Sequence, residues 1–315
     1  MSRDIPMKLL KKVQKHLSAV VCRTSCRTGK ATPTLRHLIR CSIVATALST
    51  QLPVLAAGID FGTAGAYAGF FFGNVTGMQN IDGHLALGGN LSTNAANIGN
   101  QIPANEVGPA LIVGGSIVRF DGGWVGSYDP NNNYGIYGVS KDKNIGAYLD
   151  FRKSDFIPID FVAERTYLTA MSEQLNSMRD TGSVKLEWDS ILTLTGSNQD
   201  VEVFHLTYDQ VTNKRSLEVA QIRQDAYVII NITGNKLRKV VFGMDNSALQ
   251  LQKRRLIFNF PDADLINFTQ VNMWGSILAP YACIRDSDGH IEGNVIAAQW
   301  NSGMAIANNL FQPKP

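Results

Sequence analysis

From Gly58 onward the chain is built of short apolar runs with a period of two, each broken within a few residues by Gly, Asn or Asp. Alternation of that kind puts every second side chain on one face of a strand, and the runs are too short and too often interrupted for helices. Gly83–Asn90 (GHLALGGN), Ala110–Val118 (ALIVGGSIV) and Asn144–Phe151 (NIGAYLDF) come first. After one interruption the pattern resumes as ILTLTG, VEVFHLTY, AYVIINITG, RRLIFNF, GSILAP and GNVIAA. No low-complexity linker divides this body, so a single, mainly β domain over 57–315 is expected. Ile257, Ile277 and Val295 stand 20 and 18 residues apart, each inside an apolar triplet followed by a turn. A repeat near that length suits one coil of a β-solenoid, where each coil covers the apolar row of the last. A β-sandwich can produce similar spacing.

The interruption reads as a helix. In PIDFVAERTYLTAMSEQLNSMRDTG, Phe161, Leu168, Met171, Leu175 and Met178 fall on one face, which predicts a helix over about 160–179. Asp160 is placed to cap its start and Gly182 to stop it. The apolar stripe reads as packing against the strands, not as a cofactor box.

Composition matters chiefly because it is uneven. Ten of the 29 Lys and Arg residues, but only one of the 26 acids, lie in 1–56. The net charge of +3 therefore divides into a leader of +9 and a body of −6, and an acidic body argues against sequence-independent nucleic-acid binding. A basic stretch ending in RHLIR, the small-residue apolar run CSIVATALSTQLPVLAA and the sequence Val54-Leu55-Ala56 follow the order of a secretory signal. Cleavage is expected between Ala56 and Ala57, giving a secreted, extracellular or periplasmic protein that meets a membrane only through its uncleaved leader. The alternative is a basic tail with a membrane-resting helix. Cys22, Cys26 and Cys41 lie in the leader, which leaves Cys283 as the single thiol of the body. The body must be held by its core, without an internal disulfide.

Four stretches in order resemble the choice-of-anchor A family of bacterial exported proteins. They are GFFFGNVTGMQNIDGHLALGGNLS at Gly69–Ser92, the helix opening at Ile159–Phe161 with ILTLTG and VIINITG after it, WGSILAP, and GHIEGNVIAAQW followed by NNLF at Asn308–Phe311. The residues that carry the likeness are Gly83, Gly88, Gly89, Asn90, Trp274, Gly275, Pro280, Gly289, His290, Gly293 and Asn294. The resemblance implies a right-handed discontinuous β-solenoid with one long helix along its side, the architecture of bacterial ice-binding proteins. It implies no enzymatic activity. The closing NNLFQPKP shows no sorting motif or apolar tail, so no C-terminal anchor of the family's kind is recognised, and release or periplasmic residence is expected.

Side chains that could carry chemistry are few. His84 and His290 each follow Asp-Gly, and could be two arms of a metal site, but such sites need three or four convergent ligands. The plainer reading is a tight Asp-Gly turn with His opening the next strand. Asp286, Asp288 and Glu292 are calcium candidates in a turn too short for a full calcium loop, and Asp129–Gly135 lacks the required Gly and has Ser140 in place of the final Glu. Otherwise both stretches are turns. His205 reads as a hydrogen-bonded strand histidine and Cys283 as a buried small residue. No nucleophile elbow, phosphate loop or dinucleotide fingerprint occurs.

These readings lead to an exported, non-catalytic protein for adhesion or matrix interaction, with no cofactor. Partners of that kind would be extracellular matrix, polysaccharide or a cell-surface component. The alternatives are a module binding a repetitive ligand, polysaccharide or ice, and a glycan hydrolase using paired carboxylates. Thr-x-Thr occurs once, at Thr193–Thr195. If the opening of the last repeat is scaffold, Ile277 and Val295 point inward on adjacent coils, Trp274 and Trp300 mark corners, and His290 and Glu292 occupy a turn.

Overall fold

The computed structural model describes residues 58–127, 131–146, 148–234 and 238–314, all within the compact unit Leu52–Pro315. The expected leader, with Ala56 and Ala57, lies outside the described residues.

One row of inward-facing residues traces the stack. In spatial order it runs Phe204, Ile230, Phe258, Ile277, Val295, Gly69, Leu85, Leu111, Gly135 and Phe151, each the register partner of the next in a parallel strand. Parallel neighbours lie about 4.8 Å apart, so each rung is one coil of a solenoid. The numbering shows that the stack is discontinuous. The chain starts in the middle at Gly69, coils outward to Asp150–Lys153, and crosses to the opposite end. From Val201–Thr207 it then coils back until Val295–Asn301 meets Gly69–Phe71. Val295 N donates to Ala68 O at 2.8 Å across that seam.

Each full coil has three faces. The second face carries Lys239–Phe242, Leu265–Phe268, Val75–Thr76 and the later halves of Ser276–Arg285 and Val295–Asn301. The third carries Val271–Trp274, Gly289–Glu292, Ala305–Ile306 and Asn80–Ile81. Leu91–Ile98 and Ile117–Val125 each bend through both. At one end of the stack Ser183–Glu187, Ile191–Thr195 and Ser216–Ala220 form a small separate sheet.

The helix Phe161–Asn176 covers the first face. Asp160 caps it as expected, its Oδ1 accepting from Val162 N and Ala163 N. Its C-cap is Ser177, so the helix stops short of the expected 179 and Gly182 has no part in ending it. Leu168, Met171 and Leu175 pack against Phe70, Ala86, Ile257, Leu278 and Ile296 in a second core separate from the interior. This explains why the first-face strands read as unbroken apolar triplets. One side of each points into the stack and the other meets the helix. A polar row runs through this second core. Asn231 Nδ2 donates to Leu175 O (2.9 Å), while Asn259 Nδ2 donates to Ser172 O and Asn231 Oδ1 (both 2.8 Å). Both asparagines are fully buried, and their bonds fix the helix lengthwise on the sheet.

Four sequence expectations need correction. Asn144–Phe151 is mostly turn, with its strand starting at Asp150; Ile145 and Leu149 still enter the core from irregular backbone. The 20-residue step of the expected repeat is one too long: Ile277 pairs with Phe258, while Ile257 pairs with Ser276. Trp300 is not at a corner but is 1% exposed inside the stack, 5.5 Å from the Phe71 ring. His290 and Glu292 belong to a strand, because Gly289 at φ 114° ends the turn and lets pairing resume at once.

Candidate functional site

The signature residues turn out to build corners. Gly88 and Gly89 stack between Gly73 and the Gly114–Gly115 pair, where backbones approach too closely for a side chain. Beside them Asn90 N donates to Asn74 Oδ1, and Ser116 N to Asn90 Oδ1, each at 2.8 Å. Ser116 and Ser140 continue this ladder with hydroxyls 2.9 Å apart. Gly83 packs against Ala68 and Asn308. Pro280 is buried where the strand Ser276–Arg285 shifts register to turn from the first face to the second.

A second corner is centred on Asn294, which is fully buried. Its Nδ2 donates to Gly65 O and Tyr67 O, and its Oδ1 accepts from Phe311 N and Ser276 Oγ. Gly275 and Gly293 stack beside it, and Trp274 carries Lys253 Nζ 5.2 Å above its ring. These positions hold the coils together, so the likeness they carry is one of architecture.

The calcium candidates do not converge. Asp286 Oδ2 accepts from Arg285, Asp288 Oδ1 accepts from Gln270 N, and Glu292 binds elsewhere. Glu292 Oε1 meets His290 Nε2 at 2.6 Å, while its Oε2 accepts from Lys253 Nζ at 3.2 Å and from Asn309. Burial raises its pKa, but the Lys253 and His290 hydrogen bonds outweigh burial and leave the carboxyl below its ordinary value. His84 pairs with Glu106 at 2.7 Å and with Pro109 O, not with His290. His205 has both ring nitrogens engaged, by Asp180 and by Asn176 O. Among the described residues no group of three or more His, Cys, Asp or Glu is placed to hold a metal.

In the other proposed loop, Asp129 and Pro130 lie outside the described residues. Asn132 there is a buried brace, donating to Pro103 O and Glu106 O. Cys283 is half-buried rather than buried, and burial pushes its thiol pKa up. That environment does not favour a thiolate.

A site that no motif announced lies where the second face turns into the third. In one coil this corner is a loop, Gly77–Gln79, between Val75–Thr76 and Asn80–Ile81. In the next two coils it is continuous strand, Leu91–Ile98 and Ile117–Val125. A groove of about 550 Å³ lies at this corner, with Ala95, Ala96 and Gly123 among its lining residues. Gly123 has a φ of 105°, and a side chain there would run into the Ala96 carbonyl. Thr76, Gln79, Asn80, Asn94 and Asn97 supply the walls. An adjoining depression of about 480 Å³, bounded by Asn100, Trp124 and Ser127, shares Asn97 and Gly123 with it. The loop is tied down by Thr93 Oγ1 to Met78 O and Asn97 N to Gln79 O, both at 2.6 Å. Asn97 Nδ2 also reaches Asn80 Oδ1 at 3.0 Å. None of the described residues lining either depression is ionisable.

The family model described as "Putative Ice-binding-like adhesive domain" matches residues 60–308, nearly the whole described body. The chain belongs to this ice-binding-like adhesive domain family. Among solved structures, the ice-binding-like adhesive domain is similar to an ice-binding protein domain of Shewanella frigidimarina, at 13% identity and a TM-score of 0.41, over 80% of this chain and 97% of that one. It is also similar to an ice-binding protein of the Antarctic ascomycete Antarctomyces psychrotrophicus, at 11% identity and a TM-score of 0.36, over 79% and 98%. A third is an ice-binding protein from an Antarctic biological consortium, at 13% identity and a TM-score of 0.31, over 80% and 91%. No curated protein matches. The matched family is described by binding, as an adhesive domain. No helix among the described residues is long and apolar enough to cross a membrane.

Proposed function

We propose that this adhesive domain is an exported, non-catalytic binding protein of the choice-of-anchor A kind, fastening to an extended extracellular ligand. That ligand would be matrix, polysaccharide or a cell-surface component. The observation that carries this reading is the register of outward side chains on the third face. Asn272, His290, Ala305, Asn80, Asn97 and Trp124 follow one another coil by coil, meeting the outside at a fixed repeat of about 4.8 Å. A surface that repeats in one direction suits a ligand that does the same. No cofactor enters the proposal, and nucleic acid is not among the ligands.

Binding of the purified body to an array of matrix proteins, neutral and acidic polysaccharides tests it. Retention on at least one class is expected, and retention on none would refute it. Export is tested by N-terminal sequencing of material recovered outside the cytoplasm, which should begin at Ala57.

A second reading, ice binding, is favoured by the second face, where Asn301, Thr76 and Ser92 are consecutive rungs. Arg285 and Arg119 flank them and break the row of short polar side chains. Thermal hysteresis of the purified body separates the two readings.

A further inference from the structure

The corner groove has the chemistry of a carbohydrate site. Amide side chains both donate and accept hydrogen bonds, and so do sugar hydroxyls. Gln79, Asn80, Asn94, Asn97 and Asn100 present five such amides along one line of depressions, each of them exposed. At its far end stands Trp124, 38% exposed, an aromatic surface of the kind on which the C–H face of a pyranose ring rests. None of the described residues of the walls and floor is ionisable, which disfavours acidic polymers and nucleic acids, since those are held by Lys and Arg. The shape is concave, unlike the flat face a crystal surface would need. Each depression falls within the range, about 300–1,000 Å³, of sites that hold one small organic unit. Two of them joined through Asn97 and Gly123 fit consecutive units of a chain better than a single sugar.

The groove is also held in shape before any ligand arrives. The hydrogen bonds from Thr93 and Asn97 to the Gly77–Gln79 loop pin one wall, and Asn80 and Asn97 orient each other. Walls fixed in this way reduce the ordering cost of binding.

We infer that the groove lined by Gln79, Asn80, Asn94, Asn97 and Asn100 binds a neutral polysaccharide chain, with Trp124 stacking on one of its sugar rings. This deepens the adhesive reading and rests on it. Isothermal titration with cellohexaose, chitohexaose, laminarihexaose and, as the acidic counterpart, hexagalacturonate supplies the test. At least one neutral hexasaccharide should bind and hexagalacturonate should not. Trp124→Ala should weaken binding at least about tenfold, the effect of losing a central aromatic anchor. Trp124→Phe should recover part of it. Trp188→Ala removes an 85% exposed ring outside the groove and should bind like the parent.

Unimpaired neutral binding by Trp124→Ala, with a melting curve like the parent's, would overturn the assignment. So would a parent that binds matrix proteins or acidic polymers but no neutral glycan, and in that outcome the adhesive reading survives. A parent that is retained by no class on the array sinks both.

Discussion

Ile277 and Val295 are direct register partners in neighbouring parallel strands, and neither has any exposed surface. The expectation that they occupy equivalent inward positions is met. An unpaired carboxylate at either position costs several kcal/mol or has its pKa driven far upward. That loss approaches the total stability of a typical domain, about 5–15 kcal/mol. Ile277→Asp is therefore expected to give aggregated or degraded protein. Gln299→Asp places the same group on an exposed position of the neighbouring strand and should melt in urea like the parent. Equal melts for both variants would show the inward register to be wrong.

Glu292 links the strand Gly289–Glu292 to Lys253 and Asn309, so its truncation should not be silent. Glu292→Ala leaves those partners without their acceptor and is expected to cost about 1–3 kcal/mol in urea melts. His290→Ala, on a side chain 37% exposed, should cost less.

The same carboxylate has a pH signature. Its folded pKa lies below the unfolded value of 4.5, so its contribution is fully present above pH 4.5 and is lost as pH falls through the folded value. Asp82 has the opposite sign: burial and the Glu292 charge raise its pKa above 3.8, with His290 acting against them. In thermal melts between pH 3 and 6, roughly, Glu292→Gln should flatten the acid limb of the stability curve and Asp82→Asn should steepen it. Parallel curves for all three proteins would contradict this.

Asn259 is the tie between helix and sheet. Asn259→Leu fills the space but leaves the buried Asn231 Oδ1 without its donor, at an expected cost of about 1–3 kcal/mol. Thr166→Ala removes an exposed hydroxyl that bonds only within the helix, and should change the urea midpoint little.

Chelation should leave the protein unchanged, because Asp286, Asp288 and Glu292 are each bound to different neighbours. A drop of several degrees in the melting midpoint with EDTA would reverse that view.

Much of this architecture was legible because first-face strands are apolar on both sides, and because Ile277 and Val295 belong to coils of nearly equal length. The 20-residue step to Ile257 missed by one, because Ile277 pairs with Phe258, and only pairing reveals that coil length. Val75–Thr76, Asn80–Ile81 and Ala305–Ile306 are two residues long, too short for alternation to register. The groove had no sequence signal. Its amides resemble ordinary turn residues, and Gln79 and Asn97 become neighbours only through the stacking of successive coils. The corner function of Gly88, Gly89 and Asn90 was visible as a pattern, but its cause, backbones in near contact, was not.

The seam between Gly69 and Val295 means that the middle of the molecule is the last part to be finished. While the chain is still being synthesised, Gly69–Phe71 can pair on one side with Leu85–Leu87 but lacks the strand that closes the other. Phe71 likewise waits for Trp300. Contacts this distant along the chain are slow to form, and an open edge keeps the early coils only loosely committed. A chain wound in this order carries an open strand edge at its middle until Val295–Asn301 is in place to close it.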